Sequence, residues 1–163
     1  MPVLPILCWP DARLATPCDP VAPGADLRAL AADMLATMYA ATGRGLAAPQ
    51  IGILQRVFVM DTGWKEGRPA PQVLVNPEIL WRSEACKTVA EGCLSLPGIS
   101  PDISRPAEIR LRWRDLDGTP HEAHLTGFAA TCAQHEIDHL DGILTLDHLA
   151  PEARARAEAL VAA

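Results

Sequence analysis

Near its C-terminal end the chain reads Gln134-His135-Glu136-Ile137-Asp138-His139-Leu140-Asp141-Gly142. Two histidines four residues apart lie almost above one another on an α-helix, so both imidazoles can reach one metal ion. Glu136 directly follows the first histidine and is close enough to act on a water molecule bound to that ion. The alternative is a surface helix that carries two histidines without a function. Because the chain has only 5 histidines and the glutamate is also in place, the segment favours a helical metal site.

Strand patterns elsewhere predict an antiparallel sheet beside this helix. Residues 57–60 and 73–75 are strand candidates, the second of which is ended by Asn76-Pro77. Residues 109–114 alternate apolar side chains with arginines, as expected for a strand with one solvent-exposed face. Asp117-Gly118 then predicts the turn of a hairpin.

The N-terminal part of the chain predicts an arm and a helix. Residues 1–23 are rich in proline and predict an extended arm without a helix of its own. Residues 27–38 show the three-and-four apolar spacing of an amphipathic helix. The order of helix, strands, hairpin and helix predicts an α+β fold, with antiparallel β-sheets packed around a central metal-binding helix.

Length and composition describe one soluble domain that spans residues 1–163, with 49% hydrophobic and 21% charged residues. The apolar runs are too short to cross a bilayer and the N-terminus does not resemble a signal peptide, so we expect a cytoplasmic protein without a membrane partner. A net charge of −6 argues against a direct nucleic-acid site. The 5 cysteines are an odd number without framework spacing, which favours free thiols in a reducing compartment.

A catalytic metal held by two imidazoles needs a third protein ligand and one open coordination position. A large group of HExxH proteases carries a third histidine six residues after the second, but Thr145 occupies that position here. Glu152 and Glu158 follow later, although few residues remain to fold them back onto the helix.

Two cysteines compete for the third ligand position. Cys93 lies in the segment Glu91-Gly92-Cys93-Leu94-Ser95-Leu96-Pro97-Gly98, and its thiolate is a strong ligand for zinc or ferrous iron. Cys132 precedes His135 by three residues and so shares its helical stripe. A site that used both cysteines would be closed and structural, and Glu136 would have no bound water to act on. We therefore favour Cys93 and interpret Cys132 as a small pocket or core residue.

A second unusual segment is Gly43-Arg44-Gly45-Leu46-Ala47-Ala48-Pro49-Gln50-Ile51-Gly52. Its glycines, alanines and proline predict a loop where the backbone approaches another group closely, although a plain connector has the same composition. Gln50 is the side chain in this loop that offers both a hydrogen-bond donor and an acceptor.

Together, three segments resemble the peptide deformylase family. Residues 43–50, 91–95 and 134–139 match the family patterns GxGLAAPQ, EGCLS and QHExDH in that order, and weaker likeness covers most of the chain. The resemblance implies hydrolysis of the N-formyl group from formyl-methionyl nascent peptides, with release of formate.

The resemblance also implies roles for particular residues. It implies Glu136 as the general acid/base, and Gln50 with the backbone N–H of Leu94 as the groups that bind the formyl oxygen. The metal ligands that it implies are Cys93, His135 and His139. The ion would be Fe²⁺ in the cell, with Zn²⁺ or Ni²⁺ in prepared protein.

The pocket for the methionine side chain would be formed by Gly45, Arg44, Phe128, Thr131 and Cys132. In the family an aliphatic residue usually stands where this chain has Arg44. We expect the stem of Arg44 to lie along the pocket rim, with its head in water beside a carboxylate of the protein or of the substrate.

The expected partner is a formylated nascent peptide. The segment after Pro151 lacks the longer basic tail of some family members, so any ribosome contact would be transient, and we expect a monomer. Two other functions fit the helix motif: a zinc endopeptidase, and a peptide-binding module with a structural metal and no turnover.

Overall fold

The computed structural model describes residues 2–162 and contains, over that range, three α-helices and seven β-strands. In chain order these are α1 (Arg28–Ala40), β1 (Gly45–Ala47), β2 (Val57–Met60), β3 (Gln72–Arg82), β4 (Cys86–Ala90), β5 (Asp102–Pro106), β6 (Ile109–Arg114), β7 (Pro120–Leu125), α2 (Gly127–Leu140) and α3 (Pro151–Ala162). Single 3-10 turns occur at Ala12–Ala15, Ala48–Ile51, Trp64–Glu66 and Thr145–His148.

The strands form two antiparallel sheets. Five of them pair in the order β1-β2-β3-β6-β7, and β4 pairs with β5 in a separate two-stranded sheet. The hairpin predicted around Asp117-Gly118 is confirmed, because β6 pairs with β7 from Ile109 opposite Leu125 to Arg114 opposite Pro120. The predicted α+β class, with antiparallel sheets around the histidine-bearing helix, is also confirmed.

The large sheet lies between two helices. Phe58 and Met60 of β2 share a core cluster with α2, whereas Val57 and Val59 share another with α1. All four residues are buried because successive side chains of a strand point to opposite faces, and each face is covered by a helix. The sheet therefore holds one side of α2 and leaves another side for the histidines.

The prediction that Asn76-Pro77 ends the second strand is wrong. β3 continues to Arg82, and its register against β6 shifts between Val75 and Glu78. Asn76 adopts a φ of 49°, and Pro77 has no N–H to contribute to the ladder. Both are tolerated because they lie in a β-bulge, where the regular pairing is already interrupted.

The N-terminal arm is extended as predicted, apart from the single 3-10 turn at Ala12–Ala15, which the prediction missed. Its backbone donates hydrogen bonds to three carbonyl oxygens: Leu7 N–H to Gln50 (2.7 Å), Trp9 N–H to Ser95 (3.0 Å) and Cys18 N–H to Leu140 (2.8 Å). The acceptors lie in, or directly after, the three motif segments. The arm therefore ties these segments together.

Two further observations concern membrane association and thiol chemistry. Within residues 2–162, no helix has the length and hydropathy needed to cross a bilayer. All five cysteines are free thiols, as predicted.

Gly142, which follows α2 with a φ of 75°, is packed against the arm. A Cβ added there would lie 2.8 Å from the backbone carbonyl carbon and oxygen of Ala15. Gly118 has a similar φ of 82°, but a Cβ there would meet nothing within 4 Å. We expect Gly118→Ala to lower the unfolding free energy by about 1 kcal/mol through backbone strain. Gly142→Ala should lower it by about 1–3 kcal/mol more because backbone atoms must move.

Urea denaturation of both variants measures this difference. An equal loss of stability in the two variants would show that the contact between Gly142 and Ala15 does not constrain the fold.

Candidate metal centre

Three side chains converge at the centre of the molecule. Cys93 lies in the segment between β4 and β5, whereas His135 and His139 lie one turn apart on α2. One ligand atom from each residue lies within 4.8 Å of the other two, and Cys93 Sγ is 3.4 Å from His139 Nε2. The structure therefore brings together the three residues for which the sequence predicts metal binding.

A carboxylate orients the first histidine. Glu91 Oε1 lies 2.9 Å from His135 Nδ1, so Nδ1 donates to the carboxylate and Nε2 is the ring nitrogen left to bind a metal. His139 is nearly fully buried, and burial together with the nearby His135 lowers its pKa well below the usual value. His139 is therefore a neutral imidazole, the form that divalent metals bind. Burial by itself would also lower the pKa of His135, but its hydrogen bonds with Cys93 and Glu91 raise that pKa well above the usual value, so a metal that binds His135 displaces a proton.

A buried ion pair supports this carboxylate. Arg105 Nε and one terminal nitrogen donate to the two oxygens of Glu91 at 2.7 and 3.0 Å, and both side chains are buried. Burial by itself would raise the pKa of Glu91, but hydrogen bonds from His135 and Arg105 outweigh it and hold that pKa below its usual value. Arg105 also donates to Asp138 at 2.8 Å, and Asp138 is 2.8 Å from His148 Nε2.

The sequence interpretation missed this network. Glu91 stands in a quoted motif but received no role, and Arg105 was not considered. The spacing of Ile103 and Arg105 could have indicated it. The two residues are two apart on β5, so their side chains lie on the same buried face of the strand. A charge at the inward-facing position of a strand indicates a buried partner of opposite charge.

Glu136 points into the centre from the same helix. It is buried, and its Oε1 has no hydrogen-bond partner among the described residues. Burial raises its pKa to about 7, although the positive charge of His135 opposes the shift. A carboxylate with this pKa can both accept and release a proton near neutrality.

The prediction of a loop in the glycine-rich segment is wrong from Gly45 onward, because Gly45–Ala47 is strand β1 and Ala48–Ile51 is a 3-10 turn. The predicted close approach does occur, at Gly45. A Cβ added at Gly45 would lie 2.5 Å from Glu136 Oε2 and 2.9 Å from Cys132 Sγ. The missing side chain therefore makes room for the carboxylate.

Gln50 is held in one orientation beside Cys93. Its Oε1 accepts from the backbone N–H of Ala47 at 2.9 Å, and its Nε2 donates to Ser95 Oγ at 3.0 Å. The same Nε2 lies 3.8 Å from Cys93 Sγ. Because Gln50 is only 2% exposed, the amide is a preset donor next to the three ligand atoms.

These groups open into a cleft of about 520 Å³. Its lining includes Gln50, Leu94 and all five predicted pocket residues, namely Gly45, Arg44, Phe128, Thr131 and Cys132. Burial raises the pKa of the Cys132 thiol well above its usual value, so this sulfur stays protonated and is a poor ligand. The later glutamates, Glu152 and Glu158, lie on α3 and are absent from the lining residues of the cleft.

Arg44 spans one edge of the cleft. One terminal nitrogen donates to Glu66 Oε1 at 2.8 Å, and the guanidinium carbon lies 5.0 Å from the centroid of the Phe128 ring. The side chain is 31% exposed. Its charge is thus paired with a carboxylate of the protein, while its stem and the aromatic ring supply apolar surface.

Comparison with known proteins gives a consistent result. The sequence model of the polypeptide deformylase family matches residues 3–155. A peptide deformylase of Alkalilimnicola ehrlichii is 52% identical over 157 residues, which cover 96% of this chain and 87% of that protein. One from Afipia carboxidovorans is 46% identical, with 96% and 92% covered.

Solved structures agree with the sequence comparison. A crystal structure of a peptide deformylase from Legionella pneumophila superposes with a TM-score of 0.93 at 39% identity, covering 99% of this chain and 94% of that chain. A peptide deformylase from Ehrlichia chaffeensis, crystallised with actinonin, gives a TM-score of 0.90 at 38% identity, with 96% and 94% covered.

The carboxylate that orients His135 generates a prediction. Glu91→Gln replaces the charged partner of buried Arg105 and should lower the affinity for Zn²⁺ by about 10- to 100-fold. Glu108→Gln is the matched control, because Glu108 Oε1 lies 2.8 Å from His124 Nε2 on the exposed surface. Competition with a chromophoric chelator measures both affinities. Equal Zn²⁺ affinities in the two variants would exclude a supporting role for Glu91.

Proposed function

The chain belongs to the polypeptide deformylase family, and from this premise we infer which of its residues carry out the reaction. The protein is a metal-dependent hydrolase that removes the N-formyl group from formyl-methionyl nascent peptides and releases formate. Family membership thus favours this function over the zinc endopeptidase and the non-catalytic module. The observation that carries the assignment of residues is the convergence of three ligand atoms beside the buried carboxylate of Glu136.

We propose that Cys93, His135 and His139 hold one divalent ion. One thiolate and two imidazoles suit Zn²⁺ and Fe²⁺, and three protein ligands leave a coordination position open. When bound, the ion acts as a Lewis acid that makes water a nucleophile near neutral pH. We propose Fe²⁺ as the ion used in the cell, with Zn²⁺ or Ni²⁺ able to replace it in prepared protein.

Glu136 is proposed as the group that moves the proton. Its carboxylate accepts the proton of the attacking water and delivers it to the leaving amine of the peptide. A pKa of about 7, raised by burial, suits both transfers. Because Gly45 has no side chain, the carboxylate has room beside it.

The amide of Gln50 and the backbone N–H of Leu94 are proposed to stabilise the formyl oxygen. That oxygen gains negative charge as the carbonyl carbon becomes tetrahedral, and each preset donor is worth about 3 kcal/mol. Ala47 and Ser95 hold the Gln50 amide before substrate arrives, so little reorganisation is needed during the reaction.

The methionine side chain of the substrate is proposed to enter the part of the cleft lined by Gly45, Arg44, Phe128, Thr131 and Cys132. Because Glu66 pairs with the guanidinium of Arg44, the substrate meets the aliphatic stem of Arg44 and the ring of Phe128. By analogy with the relative from Ehrlichia chaffeensis, we propose that the cleft also binds actinonin.

We further propose a cytoplasmic monomer that touches the ribosome only transiently. Two carboxylates engage Arg154 of α3, namely Asp147 at 2.7 Å and Glu158 at 3.2 Å. This arrangement leaves little positive charge on α3 for a stable contact with ribosomal RNA.

The third ligand can be identified by substitution. Cys93→Ala should abolish stoichiometric metal, because two imidazoles hold a divalent ion weakly. Cys132→Ala should retain the metal, since that thiol stays protonated. Elemental analysis after gel filtration measures both. Full metal occupancy in the Cys93→Ala protein would assign the third ligand to another residue.

A substitution of Glu136 separates metal binding from catalysis. Glu136→Gln should keep the metal and lower kcat by about 10²- to 10⁴-fold, because an amide cannot accept the water proton. The assay is formate release from formyl-Met peptides by protein prepared anaerobically with iron, with unblocked peptides as a control for internal cleavage. Near-normal turnover in this variant would refute the role of Glu136. Absence of formate with the native protein would refute the function itself.

A further inference from the structure

The cleft contains an unusual concentration of lysine. The whole chain has two lysines, Lys65 and Lys87, and both line the cleft. Lys65 lies in the 3-10 turn after β2, and Lys87 lies on β4. They therefore reach the cleft from different structural elements, in a protein whose net charge is −6.

Among residues 2–162, neither lysine has a carboxylate partner. No ion pair within 4.0 Å involves either ammonium group in the part of the chain that the structure describes, and both residues are exposed. The acidic residues that line the cleft are Glu91 and Glu136. Glu91 is already neutralised by Arg105, and Glu136 is buried at the metal centre. The lysines therefore leave the mouth of the cleft positively charged.

Side-chain contacts of Trp64 hold the wall that carries Lys65. Lys65 Nζ lies 5.8 Å from the centroid of the Trp64 ring, and Trp64 Nε1 donates to the carbonyl of Gly43 at 2.9 Å. The Trp64 ring also packs edge-on against Tyr39, with 5.3 Å between centroids. Arg44, on the same wall, has its charge taken up by Glu66. The unpaired cation of this wall is therefore Lys65 and not Arg44.

The position of Lys87 determines which part of a bound peptide lies beside it. Lys87 precedes the end of β4 at Ala90 by three residues, which is about 10 Å of extended chain. Val89, Ala90, Glu91 and Gly92 also line the cleft, so every residue from Lys87 to Cys93 except Thr88 belongs to the lining. An extended peptide that follows this lining from a formyl group at Cys93 meets Lys87 downstream of its methionine.

We infer that the mouth of the cleft, through Lys65 and Lys87, selects formylated peptides with an aspartate or glutamate downstream of the methionine. This inference rests on the proposed function, since it names the preferred substrates of the same site. The substrate carboxylate supplies the counter-charge that both lysines lack. One exposed ion pair changes affinity by about fivefold at most, so two lysines together favour an acidic over a basic residue by about tenfold.

Matched peptides test the inference. We expect the iron-loaded protein to show a kcat/KM about tenfold higher for formyl-Met-Ala-Asp-Ala or formyl-Met-Asp-Ala-Ala than for the same peptides with lysine in place of aspartate. Rates for formyl-Met-Ala-Ala-Ala should fall between them. In Lys65→Gln/Lys87→Gln the ratio of acidic to basic peptide should fall below about twofold. At 0.5 M salt the native ratio should also shrink.

Arg28→Gln/Arg156→Gln is the charge-matched control, because both arginines are exposed and neither lines the cleft. This control should keep the native ratio. Calorimetry with the unformylated peptides Met-Ala-Asp-Ala and Met-Ala-Lys-Ala gives a readout independent of turnover, and the dissociation constants should show the same ranking.

Two outcomes would overturn the inference. Equal rates on acidic, neutral and basic peptides would show that the protein has no preference for acidic residues. Formate release from the neutral peptide would still support the proposed function. An equal loss of preference in the lysine and arginine double variants would show a general field of the protein and not a local site.

Discussion

The buried ion pair between Glu91 and Arg105 is the interaction on which the rest of the site depends. Charges removed from water are costly unless each has a partner of opposite charge and a full set of hydrogen bonds. Here the carboxylate receives two bonds from Arg105 and one from His135, while Arg105 also reaches Asp138. The pair thus joins the small sheet to α2. It links the orientation of a proposed metal ligand to the packing of the fold.

Contacts of neighbouring residues also shape the remainder of the centre. Gly45 lacks a side chain where Glu136 approaches, and the Gln50 amide is fixed between Ala47 and Ser95. The N-terminal arm donates backbone hydrogen bonds beside all three motif segments. The geometry of the proposed catalytic centre is therefore supported by contacts that lie outside the proposed reacting groups.

Charge is arranged differently at the centre and at the mouth of the cleft. At the centre Arg105 is paired with Glu91, and the pairing of Arg44 with Glu66 extends this arrangement to the edge of the proposed methionine pocket. At the mouth, Lys65 and Lys87 have no carboxylate partner among the described residues. This contrast separates groups that hold the structure from groups available to a ligand.

The sequence alone determined the fold class, the hairpin at Asp117-Gly118 and the candidate ligands, since helical spacing and turn residues are local properties of the chain. It also indicated that the backbone near Gly45 approaches another group, but not that the group is Glu136. Only the tertiary structure decided the continuation of β3 through Asn76, because a bulge depends on the neighbouring strand. The same holds for Arg105 beneath His135 and for Glu66 beside Arg44. These partners are far apart in sequence, and their attraction acts only after burial has brought the charges together and removed the water between them.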